Sequence, residues 1–189
     1  MISARQSRLI WCVALAVLAA ALVFFNRPGA LPDPAADSAP EYASDAPRGY
    51  EPGEAPADFE LIQMDGARFA LSEHRGQVVV INLWATWCAP CVGELPSFDR
   101  LSRDYGEEVA VLAIHSDLIT DDVEAFLSNY DYDIAFAIDE EGGAIASLGG
   151  TTMLPQTIIL DADGIVTYNR VGSMTYETLE ALVNAALNG

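Results

Sequence analysis

The sequence predicts an α/β domain with a central mixed β-sheet flanked by helices, and three observations predict it. Val78–Trp84, "VVVINLW", and Val109–His115, "VAVLAIH", are nearly unbroken apolar runs rich in β-branched residues, as expected of strands covered on both faces. Stretches with helical spacing of apolar positions follow them, so strands and helices alternate. Two units of strand, Asp-Gly and strand, one near each end of the region, signal hairpins; they make the sheet mixed and give the domain an N-terminal hairpin extension.

Upstream of that domain the chain has a different character. Residues 1–8 carry Arg5 and Arg8, and residues 9–25, "LIWCVALAVLAAALVFF", contain no charge. As a helix this segment is about 26 Å long, close to the roughly 30 Å of a bilayer core. No small-x-small cleavage site follows Phe25 promptly, so an uncleaved transmembrane signal-anchor is expected. Two arginines before the span and only Arg27 just after it place the N-terminus in the cytoplasm. The expected product is a single-pass protein of the cytoplasmic membrane, with everything downstream on the periplasmic, extracytoplasmic side. Cys12 lies inside the span and reads as a buried apolar residue. Residues 26–57 hold Pro28, Pro32, Pro34, Pro40, Pro47, Pro52 and Pro56 with scattered acids, the composition of an extended, disordered tether.

Residues 58–189 form the predicted domain. Phe59–Gln63 and Ala67–Leu71 flank Asp65-Gly66 as the first hairpin, and the strand Val78–Trp84 leads into a helix that begins near Cys88. After the strand Val109–His115 comes a helix over Asp121–Tyr130, with acids in its first turn and Val123, Phe126 and Leu127 on one face. Ala135–Asp139 reads as a short strand and Gly143–Gly149 as a short helix stopped by Gly149-Gly150. Gln156–Leu160, Asp163-Gly164 and Ile165–Val171 make the second hairpin. The closing helix runs to Leu187 with Thr175 as its cap, and Thr178 stands where a capping box would want an acid.

Charge excludes one class of partner. There are 28 acidic against 9 basic side chains, a net charge of −19, and all nine basic residues are Arg. Such a surface repels phosphate backbones, so nucleic acid is not an expected partner. Three cysteines are too few for a disulfide scaffold in a domain of this size, so redox chemistry here is catalytic rather than structural.

Two of those cysteines stand three apart in "NLWATWCAPCVGELP", residues 82–96. Zinc needs about four ligands, and beyond Cys88 and Cys91 the domain offers only His74 and His115, with no second ligand pair. A pair of inert core thiols leaves unexplained why Pro90 sits between them and a strand leads directly into them. A redox pair explains both. Positions three apart at the first turn of a helix share a face, so the sulfurs come within bonding distance. Cys88 at the helix N-terminus meets unsatisfied amides and the positive end of the macrodipole, which favour its thiolate and make it the attacking sulfur. Cys91, one turn inside, is shielded and resolves the mixed disulfide. Pro90 suits a first-turn position, where its missing N–H costs nothing.

Trp84-Ala-Thr-Trp-Cys-Ala-Pro-Cys91 resembles the active site of thioredoxin-fold proteins, and the continuation Cys91-Val-Gly-Glu-Leu-Pro96 resembles the membrane-anchored TlpA/ResA branch, which includes the cytochrome c maturation thioredoxins. The likeness extends from "APADFELIQMDG" through "LPQTIILDADG" to the last helix. It implies the thioredoxin fold, Cys88 as nucleophile, Cys91 as resolver, and Pro155 as a cis proline facing the disulfide. It also implies substrate contact through Trp87, Ala89, Pro90 and Leu154. Asn82 occupies the position where cytoplasmic thioredoxins carry a buried Asp. Glu94, three past Cys91 on the same helix face, is the substitute, and the branch implies a buried proton-transfer role for it, so that it accepts the proton Cys91 must lose. Trp84 reads as core packing, Trp87 as an apolar collar, and Pro96 as a kink in the helix. His115 is expected to be structural or a solvent-facing cap, and His74 a surface turn residue.

A His between the cysteines would donate to the thiolate and stabilise the reduced form; Ala89-Pro90 offers no such donor, so a comparatively reducing disulfide is expected. The function expected is thiol-disulfide oxidoreductase, acting as a reductase of protein disulfides outside the cytoplasm. It needs no cofactor and is fed by a membrane electron donor of the DsbD or CcdA type. Apocytochrome c is a substrate the resemblance offers, although Gln156 stands where cytochrome maturation members often have Glu. A thiol oxidase or isomerase is the alternative enzyme. A copper or haem chaperone is a less favoured binding role, because such relatives space their cysteines by three and add a matched His. Peroxidase chemistry is disfavoured because Thr86 stands two residues before Cys88 instead of three.

Overall fold

The computed structural model describes residues 48–116 and 123–189. The expected anchor at 9–25, Cys12 and the tether up to residue 47 lie outside them. Among the described residues no helix is long and apolar enough to cross a membrane.

A short antiparallel hairpin, β1 (Glu60–Ile62) and β2 (Arg68–Ala70), opens the domain. Its turn uses the Asp65-Gly66 signal: the Asp65 carboxylate accepts from the Ala67 N–H at 2.9 Å, and Gly66 takes φ +87°, open to glycine at no steric cost. Then follow β3 (Val78–Trp84), α1 (Ala89–Tyr105), β4 (Val109–His115), α2 (Val123–Leu127), β5 (Ala135–Ile138), α3 (Gly143–Ser147), β6 (Gln156–Leu160), β7 (Val166–Val171) and α4 (Tyr176–Leu187). The five-stranded sheet has the order β5-β4-β3-β6-β7. β3, β4 and β5 are parallel, and β6 and β7 run antiparallel to their neighbours. The first hairpin extends the β5 edge through a bridge between Gln63 and Ala137, and the Met64 N–H donates to the Phe136 carbonyl at 2.7 Å.

All seven residues of β3 are buried, because this central strand is covered on both faces. Alternation along it sorts the core into two layers. Val78, Val80 and Trp84 point to the face that packs with Leu95, Phe98 and Leu101 of α1 and Leu179 and Val183 of α4. Val79, Ile81 and Leu83 point to the other face, against Phe59, Phe69, Leu71 and Leu148. Phe98 is completely buried, and truncating such a ring to Ala costs about 3–5 kcal/mol. The alternation also puts Asn82, with Val80 and Trp84, on the α1 face.

Two sequence expectations are modified. Residues 48–57, read as the end of the tether, lie along the domain: the Gly53 N–H donates to the Val166 carbonyl at 2.8 Å, the Val166 N–H donates to the Glu54 carbonyl at 2.9 Å, and Ala55 is buried. An edge strand's backbone groups take partners whatever the side-chain composition beside them, so proline content did not mark this boundary. His74 is half-buried rather than a surface turn residue; its ring stacks on Phe69 at 4.3 Å and its Nδ1 pairs with the Gln77 side chain at 2.8 Å. Pro96 lies inside α1, which continues as helix to Tyr105.

Candidate active site

The end of the central strand builds the site. Beyond Trp84 the chain turns through Ala85, Thr86 and Trp87, and α1 starts with Cys88 as its N-cap. The Cys88 sulfur accepts from the Cys91 N–H at 3.3 Å, and the Cys88 carbonyl begins the helix by accepting from the Val92 N–H at 3.0 Å. Cys88 and Cys91 are joined in a disulfide, with Cα atoms 5.2 Å apart. Cys88 keeps 5% of its surface exposed and Cys91 none, so Cys91 is the more deeply placed of the two. Pro90 falls in the first turn of α1, and Ala89 and Pro90 are both exposed.

The same end of the sheet gathers the other predicted residues. The register sets Gln156 opposite Leu83 on one side and Val171 on the other, which places Pro155 at the end of β3 that leads into the disulfide. The Leu154-Pro155 peptide bond is cis; Pro155 is buried and Leu154 half-buried. Trp87, Met153 and Val171 are large apolar side chains left 59%, 62% and 42% exposed around this edge. Trp84 is fully buried in the core.

His115 is not solvent-facing. It is 2% exposed, its ring meets Trp84 edge-on at 5.4 Å, and its Nε2 accepts from the Thr86 N–H at 3.4 Å. A histidine that ends a strand thus holds the loop that leads to Cys88. The parallel register of β3 and β4 sets His115 beside Trp84.

Glu94 is buried, one turn past Cys91 on the same face of α1. The Asn82 Nδ2 donates to Glu94 Oε1 at 2.8 Å, and the Met174 N–H donates to Oε2 at 3.1 Å. Burial pushes the Glu94 carboxyl up from 4.5 to about 7, against the lowering effect of those two hydrogen bonds. A carboxyl poised there exchanges a proton readily at neutral pH. Sequence reasoning found Glu94 and noted Asn82 only as a missing Asp; the contribution of the Met174 backbone, 80 residues away, had no signal at all. Gln156, considered above as a mark of substrate type, is 3% exposed and turned inward: it accepts from the Thr151 N–H and donates to the Gly149 carbonyl and to Asn169 Oδ1. Among the described residues no group of three or more His, Cys, Asp or Glu side chains is arranged to hold a metal ion.

A family model described as Redoxin matches residues 37–186. The chain belongs to the Redoxin family. This redoxin is 33% identical over 135 residues to the thioredoxin-like protein YneN of Bacillus subtilis (strain 168), covering 70% of this chain and 78% of that one. It is 34% identical over 131 residues to the thiol-disulfide oxidoreductase ResA of Bacillus thuringiensis subsp. konkukian (strain 97-27), covering 69% and 75%. Among solved structures it resembles the pneumococcal exposed lipoprotein thioredoxin Etrx1 of Streptococcus pneumoniae strain TIGR4, with a TM-score of 0.61, 27% identity, and 68% of this chain and 99% of that chain covered. The redoxin has the thioredoxin-like fold and, with Cys88 and Cys91 paired at the head of α1, is a thiol-disulfide oxidoreductase acting on protein disulfides.

Proposed function

We propose that this oxidoreductase works as a reductase of disulfides in protein substrates, on the extracytoplasmic side of the membrane, anchored by residues 9–25 and re-reduced by a membrane donor of the DsbD or CcdA type. The observation that carries the direction is the surroundings of Cys88: a backbone N–H, that of Cys91, donates to its sulfur, and Ala89 and Pro90 bring no side-chain donor. A thiolate that lacks a charge-assisted hydrogen bond of about 1.5–3 kcal/mol is held less firmly in the reduced state, and about 30 mV of potential corresponds to 1.4 kcal/mol. The dithiol therefore gives up its electrons readily. The uncharged run before the tether and the arginine balance around it support the anchor and its orientation.

In the reaction, the Cys88 thiolate attacks one sulfur of a substrate disulfide, forming the Cys88–substrate bond and releasing the first substrate thiolate. Glu94, as carboxylate, takes the proton from the Cys91 thiol. The Cys91 thiolate then attacks Cys88 Sγ, the intramolecular disulfide forms, and the second substrate thiolate leaves. Two electrons pass to the substrate. The exposed Trp87 and Met153, with Leu154 beside Pro155, give the substrate an apolar seat around the sulfur, and Ala89 and Pro90 line its approach.

Equilibration of the full-length chain with glutathione redox buffers tests the direction. The expected midpoint lies well below the about −120 mV of a strong oxidant such as DsbA; a midpoint at that value would overturn the reductase assignment.

A further inference from the structure

Asn82 sits on the central strand with its side chain fully buried on the α1 face, and its Nδ2 donates to Glu94. Its other end is different: Oδ1 is buried and has no hydrogen-bond partner. Opposite Asn82 in the antiparallel register is Thr157, also fully buried, whose Oγ1 is likewise without a partner. Directly opposed residues share a face, with Cβ atoms about 4.5–5.5 Å apart. The same face carries Ile159 from β6 and Cys91 from α1 in one cluster. A carboxylate, a primary amide and a hydroxyl thus follow one another behind the resolving cysteine.

We infer that Asn82 is a positioning residue that serves Glu94 in both of its protonation states by turning its amide. With Glu94 ionised, Nδ2 donates to the carboxylate, as seen. Once Glu94 has taken the Cys91 proton, its new O–H needs an acceptor in a buried place; rotation of the amide presents Oδ1 to it. The turn breaks no bond at Oδ1, because nothing holds that atom. It swings Nδ2 toward the Thr157 side, where the hydroxyl, which has no partner of its own, turns to accept from it. An Asp at this position would add a second ionisable group, and an apolar residue would remove the partner of Glu94 Oε1 in both protonation states, the charge-assisted bond to the carboxylate being the stronger of the two. The Met174 N–H holds Glu94 Oε2 from the far side. The influences on Glu94 from β3 and from the segment before α4 come from uncharged groups, the Asn82 side chain and the Met174 backbone N–H.

This inference rests on the assignment of Glu94 as acceptor of the Cys91 proton, so the test separates the two. The rate of reduction of a protein disulfide by the full-length chain is measured against pH for wild type, Glu94→Gln, Asn82→Leu, Thr157→Val and Thr157→Ser. Because Glu94 must be ionised to accept, the wild-type rate rises through a midpoint near the Glu94 value. Loss of a hydrogen bond to the carboxylate moves that midpoint up by about one pH unit in Asn82→Leu. Thr157→Val, which removes the acceptor the turned amide uses when Glu94 is protonated, moves it down, and Thr157→Ser leaves it in place. Midpoints unchanged in both Asn82→Leu and Thr157→Val, while Glu94→Gln abolishes the transition, would overturn the inference and leave the proton acceptor standing. A profile unchanged in Glu94→Gln would remove both. Should Asn82→Leu not fold, the Thr157 pair decides the question alone.

Discussion

Glu94 is the residue whose energetics the account constrains most tightly. Its carboxyl is raised from 4.5 to about 7 by burial, with Asn82 and Met174 pulling the other way. Between those two pH values the native state holds a proton that the unfolded chain has released. Native stability therefore falls as pH rises through that window and stays low above it. In Glu94→Gln this loss is absent, and the variant should be more stable than wild type at pH 8 by about 1–3 kcal/mol and nearly equal at pH 4. Thermal unfolding of both proteins across pH checks it; a wild type whose stability is flat from pH 4.5 to 7 contradicts the buried carboxylate. A group that weakens the fold where it is ionised is one retained for chemistry. That Glu94 mattered was legible in the sequence from its place three residues after Cys91. What it touches was not, because Asn82 and Met174 reach it across the sheet and from the far end of the chain.

At the scale of elements, local chemistry and tertiary context divide the work. The strands Val78–Trp84 and Val109–His115 were readable to the residue because burial on both faces demands nearly unbroken apolar runs, and Gln156–Leu160 was readable from the Asp163-Gly164 hairpin signal after it. The packing of residues 48–57 along β7 was not readable, since it depends on backbone pairing and leaves no pattern in the side chains. The caps were partly readable. Thr175 caps α4, its hydroxyl accepting from the Thr178 N–H at 3.4 Å, and Thr178 meets it side chain to side chain at 3.3 Å in place of the missing acid. Thr175 also follows Met174 directly, so this cap fixes the backbone that holds Glu94. Thr175→Ala should cost about 1 kcal/mol in urea unfolding. A loss below a few tenths would show that α4 is held by packing alone.

Over the whole molecule, the excess of 28 acids over nine arginines acts as a diffuse strain on the fold. Ion pairs among the described residues, such as Arg68 with Glu60 and Glu73, Arg100 with Asp104, and Arg103 with Asp99 and Asp133, are mostly exposed and contribute little each. Self-repulsion of this kind is screened within about 10 Å at 0.1 M salt. The melting temperature should rise by several degrees between 10 mM and 0.3 M sodium chloride, and a falling or flat dependence would mean that attractive pairs dominate. On this acidic surface Trp87, Met153 and Val171 remain exposed apolar side chains.

Exchange at this site depends on an order between two sulfurs, set by the head of α1, and thiol alkylation measures that order. The reduced full-length protein is treated with a small haloacetamide at pH 7, and the labelled cysteine is located by mass spectrometry as a function of time. Labelling at Cys88, with Cys91 protected until the chain unfolds, is the predicted result. Labelling of Cys91 first, or of neither in the native state, would contradict it.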